Sequence, residues 1–177
     1  MRMLRFFTRT LTLALCLAAA TALVAQEMHK PIPNAAFDRL KTLVGNWDGK
    51  YVGPEGSFTG KANIKVVSGG SAIMLSMDEG TGGEMITMFH PDGGKQLMAT
   101  HYCAGQNQPR MKMSTLSDPN VLVFDFVDGT NVSDPKSDHM IKLVIHIVDA
   151  DHHTEEWTSL GNGKQTTAKF DYTRVKS

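Results

Sequence analysis

The 177-residue chain is poor in the features that mark many protein classes. Its two cysteines, Cys16 and Cys103, are too few for a disulfide-stapled mini-domain or a four-cysteine zinc site. It has no excess of charge, with 18 Lys and Arg against 18 Asp and Glu, whereas a nucleic-acid binder needs a basic footprint. Short metal-ligand spacings such as Cys-x-x-Cys or His-x-x-x-His are missing. So are a Gly-x-Ser-x-Gly elbow and a Gly-rich loop running into Lys-Ser/Thr, which removes the usual signs of an α/β hydrolase or a phosphate loop. One long hydrophobic run occurs, at the N-terminus, and no second one follows. With 20% charged and 41% apolar residues the composition is that of a folded globular chain, and the length is that of one domain.

Residues 1–25 read as a secretory signal peptide. Arg2, Arg5 and Arg9 precede the apolar run Leu11 to Ala20, and Ala20, Ala22 and Ala25 offer small residues for cleavage. The apolar stretch from Leu11 to Ala25 is shorter than the roughly 20 residues a spanning helix needs. Leu15 before Cys16 does not suit lipidation. Cleavage after Ala25 leaves Gln26 first, and three of the 18 basic residues go with the leader, so 15 face 18 acidic ones. Cys103 is then the only cysteine. The expected product is an exported bacterial protein, periplasmic or secreted, with no membrane span and of monomer size. Residues 26–33 form a linker, and 34–177 form a single domain.

That domain is expected to be all-β. One helix is predicted near 35–44, with Asn34 as N-cap and Phe37, Leu40, Leu43 and Val44 at helical spacing before Gly45. Everything after it has period two. Ten strands are predicted near 46–52, 58–67, 71–78, 84–90, 95–103, 109–116, 121–127, 139–148, 153–160 and 164–175. The turns between them are short, and short turns join antiparallel neighbours. A meander of this many strands removes its edges by closing into an up-and-down barrel. Alternation assigns Phe58, Gly60, Ala62, Ile64 and Val66 to one face, and likewise Thr166, Ala168, Phe170 and Tyr172, and Leu122, Phe124 and Phe126. These faces should point inward.

Turn lengths predict registers. A Pro91–Gly94 loop places Glu84 opposite His101. An Ala104–Gln108 loop places His101 opposite Met111, and the next turn places Met111 opposite Phe126. On this reading Glu84, His101, Cys103, Met111 and Phe126 share the interior with Ile86, Met88, Leu97 and Ala99. Alternate loops lie at the same barrel end. The Gly-rich, mostly longer loops at 53–57, 79–83, 104–108, 128–138 and 161–163 define a mouth. The helix caps the other end. Glu84, His101, Cys103 and His139 fall near the mouth, whereas Arg110 looks outward beside Tyr102 as a rim contact.

The segment Leu43-Val44-Gly45-Asn46-Trp47-Asp48-Gly49, between a capping helix and the first strand, resembles the Gly-x-Trp opening of calycins. These are the lipocalins, fatty-acid-binding proteins and nitrobindin-like barrels. The resemblance implies that Trp47 packs at the closed end near an Arg from the last strand, a place filled by Arg174. It also implies, for the nitrobindin-like branch, haem held by a His near the C-terminal hairpin, but the last histidine here is His153. The stretch His101 to Met111 is similar to uncharacterised exported bacterial members of the group.

The ligand-binding candidates are therefore Glu84, His101, Cys103, Arg110, Met111, Phe126 and His139. The partner expected is a small apolar or amphipathic molecule inside the barrel, and no cofactor is specified. Two alternatives stay open. One is a metal- or haem-dependent site or small enzyme at the mouth, with His101, Cys103 and His139 as metal-ligand candidates. The other is a filled barrel with a purely structural role. His152-His153 and Glu155-Glu156 read as a solvated turn at the closed end.

Overall fold

A computed structural model describes residues 32–53, 56–114, 118–134 and 136–176. The expected signal peptide, including Cys16, and linker residues 26–31 lie outside the described residues. The rest follows one short helix, α1 (Ala35–Lys41), and ten strands: β1 (Gly45–Gly53), β2 (Gly56–Val67), β3 (Ala72–Met77), β4 (Met85–Asp92), β5 (Gln96–Tyr102), β6 (Gln108–Met113), β7 (Val121–Thr130), β8 (His139–Ile147), β9 (His152–Gly161) and β10 (Lys164–Arg174). Each strand pairs antiparallel with its sequence neighbour, and β1 also pairs with β10, so the sheet is a closed barrel. Closure leaves no unpaired edge, which suits a chain whose strands are connected by turns too short for crossovers. The β9–β10 hairpin shows the local logic. Its two-residue turn, Asn162-Gly163, has both residues at positive φ, 50° and 74°, the geometry for which Asn-Gly is preferred.

The helix covers the closed end, as its pattern predicts. Asn34 caps it and ties it to the barrel: Oδ1 accepts from the Phe37 N–H, and Nδ2 donates to the carbonyl of Gln96, the first residue of β5. Phe37 and Leu40 are buried on its inner side. Below them the barrel core is formed by Ile73, Leu75, Phe89, Leu97, Ala99, Met111, Phe124, Leu143 and Ile145, all nearly inaccessible to solvent.

Trp47 and Arg174 are direct cross-strand partners in the β1–β10 ladder. The guanidinium lies over the indole ring at 4.1 Å and donates to three backbone carbonyls, those of Thr42, Val44 and Ala150. Trp47 Nε1 donates to the Leu43 carbonyl. The resemblance to calycins thus anticipates a closing pair that the structure contains. Gly45 makes the approach possible, because a Cβ there would sit 2.6 Å from Arg174 Nη1.

Two expected registers are corrected. Pro91 and Asp92 belong to β4 rather than to a loop, and pair with Leu97 and Gln96. Gly93, at φ 68°, makes the turn instead. The ladder therefore shifts by an odd number of residues, which exchanges the faces of β4. Thr87, not Glu84, lies opposite His101, and Phe89 rather than Ile86 or Met88 is fully buried. In the next hairpin Ala99, not His101, opposes Met111. That shift is even, so His101 keeps its inward face. The Met111–Phe126 pairing is as expected.

Replacing Arg174 by Met removes three charge-assisted backbone bonds and the cation–π contact. The expected loss of unfolding free energy is about 3 kcal/mol, read by urea denaturation. Arg174→Lys should recover less than half of it, since an ammonium cannot span three carbonyls in one plane.

Candidate functional site

The packed half of the barrel gives way, toward the mouth, to a cavity of about 330 Å3. Its lining comes from both sides of the β1–β10 closure and from strands β2 to β5, β8 and β9. Tyr51 and Phe58 stack at 4.1 Å between ring centroids, and Phe170 meets Tyr51 edge-on at 5.2 Å. Met77, Met85 and Met140 supply flexible thioether walls. Ala168, Ser159 and Thr166 line the β9–β10 side. Phe58 is 48% exposed and marks the opening. The inward faces read from the alternation of β2 and β10 are the ones that build this chamber.

His101 and Trp157 form its inner wall. Their rings pack at 4.7 Å between centroids, and both are buried, His101 at 0% exposure and Trp157 at 2%. Thr87 Oγ1 holds His101 Nδ1 at 2.9 Å. The other ring nitrogen, Nε2, is buried and finds no hydrogen-bond partner among the described residues. An unsatisfied buried polar atom costs about 1–3 kcal/mol, so a ligand that reaches Nε2 recovers that penalty. Burial lowers the His101 pKa from its ordinary 6.5 to about 4, so the ring is neutral at physiological pH.

Behind this wall lies a polar layer that sequence reasoning misplaced. Strand β9 alternates, so His152 and Glu156 face solvent while His153 and Glu155 are fully buried. The solvated-turn reading fails for the latter two. Glu155 accepts from Trp157 Nε1 at 2.9 Å and lies 3.3 Å from His153 Nε2. His153 stacks on Tyr172 and meets Trp47 edge-on at 4.3 Å. Burial, then the charges of Glu155 and Asp78, push the Tyr172 hydroxyl far above its usual pKa. A signal for this layer was available. The Asn162-Gly163 turn sets Trp157 opposite Ala168, hence Glu155 opposite Phe170 and His153 opposite Tyr172, and that face of β10 was already assigned inward.

The remaining candidates occupy separate places. Glu84 is exposed in the β3–β4 loop, where it accepts from Ser76 Oγ and the Gly80 N–H. Cys103 is half-buried at the end of β5, its N–H bonded to the Asn107 carbonyl. Arg110 lies on the outer wall and makes a two-pronged pair with Asp128, which raises its pKa further. Met111 belongs to the packed core. Phe126 and His139 pack on each other at 4.4 Å, and His139 Nδ1 is held by the Ser137 carbonyl. Of the seven, only His101 lines the cavity.

Among the described residues, no three His, Cys, Asp or Glu side chains converge as a metal site requires, so His101, Cys103 and His139 are not assembled into one. Haem does not fit the residues either. Strand β10 has no histidine, and His153 lies in the polar layer rather than on the cavity wall. No described lining residue carries a charge to receive the two carboxylates of a haem. A trough of about 420 Å3 lies between α1 and the ends of β6 and β7, but among the described residues none of the buried unpartnered polar atoms belongs to it.

The low His101 pKa has a consequence for stability. Between pH 6.5 and pH 4 the unfolded chain takes up a proton that the folded chain refuses. The contribution is therefore full above pH 6.5 and is lost as pH falls toward 4, by roughly 3 kcal/mol in all. Urea unfolding at pH 7 and pH 4.5 should show this loss, and His101→Gln should lack that share of it.

No family model and no curated protein matches the chain by sequence. Solved structures do. Rv2717c from M. tuberculosis superposes with a TM-score of 0.59 at 12% identity, covering 80% of this chain and 98% of that one. A DUF3598-family protein of unknown function from Nostoc punctiforme gives 0.50 at 11% identity, covering 82% of this chain and about half, 51%, of the other. At such identities the likeness is one of fold: the chain shares their β-barrel architecture.

Proposed function

We infer that this chain is an exported calycin-type binding protein that holds a small apolar or amphipathic molecule in the mouth half of its barrel. The observation that carries the reading is the unpartnered, buried Nε2 of His101, a residue that lines a mostly apolar and uncharged chamber. A barrel whose only task is structural gains by filling that space, because cavities and orphaned polar atoms both cost stability. Half the barrel is filled in that way, and the loop-bearing half is not. Apolar walls with a few convergent polar groups are the general form of a small-molecule site. Export rests on the leader at residues 1–25, whose removal gives a chain starting at Gln26.

Native mass spectrometry tests the reading. The protein is mixed in turn with dodecanoate, dodecanol, naphthalene and 2-naphthol. A one-to-one adduct with at least one of them is expected, and Ala168→Phe, which places a ring in the chamber, should reduce it at least tenfold. The mass of the exported chain in the same spectra reads the cleavage site. Absence of any adduct, or adducts indifferent to Ala168→Phe, contradicts the reading.

A further inference from the structure

We propose that the cavity is built for an uncharged, planar aromatic molecule of about two rings that carries one hydroxyl group, and that the hydroxyl bonds to His101 Nε2. This rests on the binding reading above and narrows it to a ligand class. Four observations carry it.

The first is shape. Five of the lining side chains are flat rings: Tyr51, Phe58, His101, Trp157 and Phe170. Rings so arranged favour a flat partner that stacks on one and meets another by its edge. A flexible alkyl chain would lose rotamer freedom on entry and gain no such geometry. The second is size. The chamber of about 330 Å3 is roughly twice an apolar cavity of about 150 Å3 that accepts one benzene ring.

The third is charge. No described residue lining the cavity is ionised at neutral pH, and His101 stays neutral there. A buried carboxylate or ammonium would find no counter-charge, and desolvation would exclude it. Exposed side chains on the mouth loops reinforce this against anions, with Glu79, Glu84, Asp134 and Asp138 set against Lys136 and Lys164.

The fourth is hydrogen bonding. Among the described residues, Nε2 is the one buried, unpartnered polar side-chain atom that belongs to a residue lining the cavity. The other two such atoms, Asn107 Oδ1 and His153 Nδ1, belong to residues outside the lining. Thr87 Oγ1 can either donate to or accept from Nδ1, so Nε2 is an acceptor in one tautomer and a donor in the other. A hydroxyl both donates and accepts, and therefore satisfies Nε2 in either state. A ketone or ether serves only one of them.

Calorimetric titration of the full exported chain separates the possibilities with four probes: naphthalene, 2-naphthol, 2-naphthoate and dodecanoate. The expected order is 2-naphthol tightest. Naphthalene should be about tenfold weaker, the worth of one buried hydrogen bond, and both anions at least tenfold weaker than 2-naphthol. In His101→Phe the 2-naphthol advantage over naphthalene should vanish while naphthalene binding persists, and that persistence itself shows the barrel is folded. Should His101→Phe fail to fold, the wild-type probe order alone decides. Equal binding of naphthalene and 2-naphthol overturns the assigned hydrogen bond, because water would then satisfy Nε2. Dodecanoate or 2-naphthoate binding as tightly as 2-naphthol overturns the ligand class but leaves a binding barrel in place. No binding of any probe overturns both.

Discussion

The guanidinium of Arg174 joins parts of the chain that are far apart in sequence. It reaches the carbonyls of Thr42 and Val44 in the turn that leads α1 into β1, and the carbonyl of Ala150 in the β8–β9 turn. At the same time it lies flat on Trp47. These contacts secure the seam between the first and last strands at the end where the helix sits. A closed barrel has an inside that must be either filled or used, and this pair sets where filling begins. From Trp47 the interior is continuous through His153, Glu155 and Tyr172 to Trp157, and from Trp157 to His101.

That sequence of contacts divides the barrel by physical character. At the helix end, mostly aliphatic side chains are buried against one another. In the middle, a polar layer is tied by specific hydrogen bonds, Trp157 to Glu155 and Glu155 to His153. Beyond it the walls are aromatic and thioether, and the space between them is open. Trp157 belongs to both the polar layer and the cavity wall. Its N–H is fixed by the polar layer and its ring faces the cavity, so the wall of the site is held by the same residues that stabilise the core. Preorganisation of this kind reduces the ordering cost of binding.

Much of this was legible in the sequence because period-two patterning records the inside and outside of a strand directly. All ten strands, the capping helix, the inward faces of β2 and β10, and the Trp47–Arg174 pair follow from it or from the resemblance it supports. What patterning does not record is register. Pro91 reads as a turn residue, yet it continues β4, and the resulting odd shift moved Glu84 out of the barrel and Thr87 in. His101 was assigned inward correctly but with the wrong partner. The buried His153 and Glu155 were missed for a different reason. Two histidines beside two glutamates look like a solvated turn, since charged groups are seldom buried unless paired, and their pairing is visible only once β9 is aligned on β10. Cys103 and His139 were placed near the mouth, where they are, but nearness to a mouth does not make a residue part of the wall.

Binding in this barrel depends on His101 being a neutral imidazole with one nitrogen left for a ligand. Nitrogen-15 correlation spectra of the histidine side chains, recorded through a pH titration, read this directly. The His101 ring should stay neutral down to about pH 4 and its Nε2 resonance should move when 2-naphthol is added, while those of the exposed His90, His146 and His152 should not. A His101 that titrates near 6.5 like a solvated imidazole, or an Nε2 resonance indifferent to the ligand, would contradict it.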